Sequence, residues 1–155
     1  MSAPGASDSS IHNLLTRDHA RLERLFDELL EAVRTDSAED LSRVWTSIEE
    51  GVTAHLAAEE DFVLPSFEEV DPSETEVLRA EHRQIRKGLA GLAAAIRGGT
   101  LDEGSITALV GVLRAHGRRE DGLFYPWIDR QPDAGAQLTL RRRLYSRATK
   151  PLKRP

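Results

Sequence analysis

The sequence predicts an all-α fold, an antiparallel up-down four-helix bundle with a short fifth helix toward its C-terminal end. Three observations predict it. Four long stretches carry apolar residues at the 3.6-residue helical period. Proline, glycine and capping residues separate these stretches by short connections, which make consecutive helices antiparallel neighbours. No stretch alternates apolar and polar residues over strand length with β-branched enrichment. A chain of 155 residues is long enough for one domain with its own core. Residues 1–10 read as a flexible start, 11–130 as the bundle, and 131–155 as a short helix followed by a basic tail.

The first helix follows a cap at Ser9 or Ser10 and turns Ile11, Leu15, His19, Leu22, Leu25, Phe26, Leu29 and Val33 inward. Thr35-Asp36-Ser37 leads into the second, with Leu41, Val44, Trp45, Ile48, Val52, His55, Glu59, Phe62 and Val63 on one face. Pro65 kinks or ends that helix, because proline forfeits an intrahelical bond and clashes one turn back. Asp71-Pro72-Ser73-Glu74 has the form of a capped start with proline in the first helical position. The third helix then presents Leu78, His82, Ile85, Leu89, Leu92 and Ile96 until Gly98-Gly99 stops it. Thr100-Leu101-Asp102-Glu103 reads as a capping box that opens the fourth. Its inner stripe is Ile106, Leu109, Val110, Leu113, His116, Glu120, Leu123, Phe124 and Trp127, with Pro126 limiting it. Residues 133–145 supply the short fifth helix, packing through Leu138 and Leu144.

Composition narrows the function classes. The absence of cysteine rules out disulfides, iron–sulfur clusters and thiolate zinc sites, so metal chemistry must use histidine and carboxylate. No apolar run approaches the roughly 20 residues that span a bilayer, and MSAPGASDSS lacks the basic start and apolar core of a secretory signal. The expected compartment is the cytoplasm, with no membrane partner. The net charge of −5 hides an asymmetry: residues 141–155 hold seven basic residues and no acidic one, leaving 14 basic against 26 acidic residues before them. Such a tail can touch nucleic acid or an acidic partner, but more often it is a solvated end or folds onto the acidic body before it. It is too short and too poor in aromatic residues for a nucleic-acid module.

The chemistry lies where polar residues interrupt the apolar stripes. Ala54-His55, Glu59, Glu60 and Pro65 recur as Ala115-His116, Glu120, Asp121 and Pro126 at an offset of 61, and Asp18-His19 recurs as Glu81-His82 at 63. Each half is therefore a helical hairpin giving one histidine from its first helix and a His-x-x-x-Glu from its second. Residues four apart on a helix point the same way. Two hairpins face to face would gather His19, His55, Glu59, His82, His116 and Glu120 around one point. A buried, unpaired carboxylate is costly, and a metal ion is the simplest compensation. Six ligands exceed a tetrahedral zinc site but suit two irons, with manganese or zinc as lesser alternatives. On this reading His19 and His55 hold one ion, His82 and His116 the other, and Glu59 and Glu120 bridge them. His12 and Glu23 read as non-ligands. Asp18, Glu81, Glu60 and Asp121 read as either outer partners of the imidazoles or surface charges. Arg118 and Arg119 are expected to face solvent, and Tyr125 to serve packing.

At these residues the sequence resembles the hemerythrin family, in particular bacterial hemerythrin-like proteins with the HHE cation-binding pattern. Asp18-His19, His55-x-x-x-Glu59, Glu81-His82 and His116-x-x-x-Glu120, with Pro65 and Pro126 following, carry the resemblance over residues 11–128. It implies an oxo- or hydroxo-bridged, non-haem diiron centre. Two departures from the oxygen carriers stand out: Arg86 occupies the position of their second histidine on the third helix, and Asp121 stands where their last carboxylate falls. Glu120 lies on the inward stripe and pairs with Glu59 in the repeat, so it is the expected bridge. Loss of a histidine argues against reversible oxygen carriage. The resemblance implies a protein that handles hydrogen peroxide, O2 or NO in oxidative or nitrosative defence, with catalase-like or peroxidase activity. A second reading is a non-catalytic oxygen- or iron-sensing protein acting through its basic tail.

Overall fold

Start and stop signals decide the helices of the computed structural model, which describes residues 11–130. Helix α1 (Ile11–Arg34) closes at Asp36, whose φ of 52° is the left-handed turn that ends a helix. The Ser37 hydroxyl then accepts the Asp40 amide and starts α2 (Ala38–Phe62). Pro65 ends α2 as expected, and it opens a single further turn, α3 (Leu64–Glu68). The Asp71 carboxylate accepts the Glu74 amide at 2.9 Å and starts α4 (Pro72–Gly98), with proline first in the helix. Gly99, at φ 66°, ends it.

The start of α5 (Glu103–Arg119) is Asp102, which accepts the Ser105 amide at 2.7 Å, not Thr100 as the capping box suggested. The Thr100 amide donates to the Ala95 carbonyl at 2.8 Å, the bond that closes a helix across a left-handed glycine. Thr100 thus finishes α4, and the cap of α5 falls two residues later.

Beyond Arg119 the chain does not continue as plain α-helix. Glu120–Phe124 forms one π-helical turn before α6 (Tyr125–Asp129). The extra residue in that turn advances the buried face by one position. Leu123, expected inside, is 45% exposed, whereas Tyr125 is fully buried.

The four long helices close a ring, with α1 against α2 and α5, and α4 against α5 and α2. Among the described residues there is no strand, so the all-α bundle stands. Two apolar cores fill it. One, under the α1–α2 and α4–α5 connections, includes Phe26, Trp45, Ile48, Leu56, Ile85 and Leu109. The other, at the opposite end, includes Leu14, Leu15, Leu64, Phe67, Phe124 and Trp127. A polar layer separates them. The expected cap at Ser9 or Ser10, the helix over 133–145 and the basic tail lie outside the described residues.

Candidate metal centre

The polar layer is built from the six residues singled out in the sequence. His19 projects from α1, His55 and Glu59 from α2, His82 from α4, His116 from α5 and Glu120 from the start of the π-helical turn. Their ligand atoms form two overlapping groups, each lying within 4.8 Å of one another: His19, His55, Glu59 and Glu120, and then Glu59, His82, His116 and Glu120. Both carboxylates belong to both groups. Five of the six residues are buried, and His19 alone is partly open, its side chain 25% exposed. Asp121 points out to solvent, so Glu120 is the carboxylate of this pair that enters the core.

Carboxylates behind the rings orient three of the four imidazoles. His55 Nδ1 pairs with Asp18 at 2.7 Å, His82 Nδ1 with Glu60 at 2.9 Å, and His116 Nδ1 with Glu81 at 2.7 Å. An arginine accompanies each carboxylate. Arg86 grips Glu60 through two bonds of 2.7 and 2.8 Å, Arg119 donates to Glu81 at 2.8 Å, and Arg21 lies 3.9 Å from Asp18. Asp18, Glu60 and Glu81 are therefore partners of the rings and not idle surface charge. Arg119, expected in solvent, is half-exposed and bonded to both Glu81 and Glu74. Among the described residues no carboxylate backs the Nδ1 of His19.

With Nδ1–H donating outward, each Nε2 presents a lone pair to the centre. There it meets carboxylate oxygens: His82 Nε2 lies 3.2 Å from Glu59, and His116 Nε2 lies 2.8 Å from Glu120. Acceptors face acceptors. His82 Nε2, His116 Nε2, Glu59 Oε2 and both Glu120 oxygens are buried without a hydrogen-bond partner. Such orphaned atoms are rare in native cores. Without a cation only protons offset this charge. Burial followed by the neighbouring Glu59 holds the Glu120 carboxyl well above its ordinary value. Burial works against a charged His55, yet Glu59 and Asp18 overcome it and raise its pKa to about 10. Burial and the His55 charge push His19 down to about 3. Imidazole nitrogens and carboxylate oxygens converging on two adjacent points are a donor set that fits a pair of divalent or trivalent metal ions.

Tyr125 joins this layer, although its position on an ideal helix assigns it to packing. Its hydroxyl donates to Glu59 Oε1 at 2.8 Å and lies 3.0 Å from His19 Nε2. The π-helical turn rotates it inward, and no residue type in the sequence announces that turn. His12 pairs with Asp129 at 2.9 Å, and Glu23 with Arg114 at 2.6 Å; neither enters the centre.

Residues 10–138 match the family model of the hemerythrin HHE cation binding domain. Comparison with curated proteins and with solved structures gives no match.

Proposed function

The chain belongs to the hemerythrin HHE cation-binding family, and from that premise we propose that it holds two iron ions and uses them to bind and process a small oxidant: hydrogen peroxide, O2 or NO. His19 and His55 would hold one ion and His82 and His116 the other, with Glu59 and Glu120 shared between the two groups. The observation that carries this reading is the buried, unpartnered Nε2 atoms of His82 and His116 beside Glu59 and Glu120, two carboxylates that both histidine pairs share. When bound, the iron pair supplies redox chemistry toward such ligands.

The chain's own residues supply the rest. Asp18, Glu60 and Glu81 fix the imidazole tautomers and make each Nε2 a stronger donor. The apolar cores on either side keep bulk water from the layer. Tyr125 holds a proton between Glu59 and His19, where a bound ligand can accept it. Processing of peroxide or NO makes the protein part of oxidative or nitrosative defence.

Metal analysis of the purified chain, followed by addition of hydrogen peroxide, tests the proposal. Two irons per chain and a ferric absorption band are expected, with peroxide consumed. Zinc, or no metal, in a chain that stays metal-free when iron is offered removes the diiron reading. An iron-loaded chain that neither consumes peroxide nor alters its spectrum with O2 or NO removes the oxidant reading.

A further inference from the structure

A cavity of about 340 Å³ opens beside the candidate centre, between α1, α2 and α5. That is about ten times the roughly 30 Å³ that a water molecule takes in the liquid, and dioxygen or peroxide needs little more. Its volume falls instead in the range of pockets that hold small organic molecules. The walls are apolar: Leu22, Phe26, Val52, Leu56, Val110 and Leu113. The inner end is formed by the rings of His19, His55 and His116. His116 Nε2 lies behind this wall in the polar layer, 2.8 Å from Glu120. Four charged residues complete the lining, Glu23, Arg114, Arg118 and Asp121, with Arg114 ion-paired to Glu23 at 2.6 Å. Gly117 contributes by what it lacks, since a Cβ at this position would lie 3.3 Å from His19 Nδ1, tighter than such contacts ordinarily are. The glycine lets the ring of His19 lie close against α5. His19 is also the one centre histidine with no carboxylate behind it among the described residues, and its Nε2 meets His55 Nε2 and the Tyr125 hydroxyl, each at 3.0 Å.

We propose that this cavity binds an organic molecule with a slender apolar body and one oxygen-donor head group, a hydroperoxide or carboxylate being the chemical type. The head lies at the metal held by His19 and His55, and the body lies against Leu22, Phe26, Val110 and Leu113. The placement of the head rests on the metal reading above; the placement of the body rests on the walls alone.

Octanoate and acetate are suitable probes, because they share the head and differ in the body. Calorimetric titration of the iron-loaded chain is expected to show one octanoate per chain, bound at least about tenfold tighter than acetate, with a shift of the iron absorption bands. Leu113→Trp fills the cavity from a residue that is not itself a ligand. It is expected to weaken octanoate at least about tenfold while leaving acetate binding, iron content and the melting temperature unchanged. Leu113→Ala, which enlarges the cavity, keeps octanoate binding and covers the case in which the tryptophan variant fails to fold. Octanoate no tighter than acetate, or unaffected by Leu113→Trp in a folded protein, overturns the proposal and leaves the diiron reading intact. A chain that takes up no metal defeats the diiron reading and with it the placement of the head. The body is then judged by whether Leu113→Trp still abolishes octanoate binding.

Discussion

Three histidines of the centre are each held by a carboxylate, and each carboxylate is accompanied by an arginine, so single substitutions two bonds removed from the metal should still be felt. Glu81→Gln removes the charge behind His116 while keeping its shape. Loss of such an outer partner typically costs about 10–100-fold in metal affinity, and competition against a chelator measures it. A Glu81→Gln protein that holds iron as tightly as the parent would show that the contact is packing only. Tyr125→Phe tests the residue that the helical period misplaced. It withdraws one donor from buried Glu59, and the metal-free protein should lose about 1–3 kcal/mol in urea unfolding, with the iron content of the loaded protein retained. Asp102 carries a pH signature. Its carboxylate accepts the Ser105 amide, which lowers its pKa below 3.8 in the folded state. Its contribution is therefore complete above that value and fades as pH falls through the folded-state pKa. Asp102→Asn keeps the cap and should flatten this part of the acid loss of stability, read as urea midpoints across the acid range.

The decisive element is the π-helical turn. Glu120 keeps its four-residue spacing from His116 because the turn begins at Glu120 itself, and everything after it is advanced by one residue. Tyr125 and Ile128 are buried and Leu123 is exposed as a result. Deleting exposed Gly122 removes the one extra residue, so the α period should be restored with Phe124, Tyr125 and Ile128 still facing inward. In a Trp45→Phe background, Trp127 emission should then stay where it is. A red shift in the deletion variant would show that α6 has rotated and that the turn does more than absorb one residue. At the other long-helix junction the cap falls on Asp102, two residues past the Thr100 that the capping pattern indicates, because the Asp102 carboxylate takes the Ser105 amide.

On the scale of the molecule, the polar layer divides the interior into two apolar cores, and the helices meet across it through like-charged carboxylates. On the proposed reading, metal therefore belongs to the stability of the fold. At free iron one hundred times above the dissociation constant, binding to the folded state alone adds about 2.7 kcal/mol. For a chain of this length that is on the order of 5–10 °C in melting temperature. Calorimetry before and after chelation should show this rise; an unchanged transition would mean that the layer holds together without a cation.

Periodicity, caps and an internal repeat made the four helices legible, and the same period put His19, His55, Glu59, His82, His116 and Glu120 on inner faces before any contact was known. Those are local properties, because where a side chain points along a helix depends only on its spacing from its neighbours. The grip of Arg86 on Glu60, the inward turn of Tyr125 and the cavity beneath Leu113 join residues from different helices. They depend on how far apart two helix axes settle and on where one turn widens. Spacing along a single chain does not contain that information, and only the packed bundle decides it.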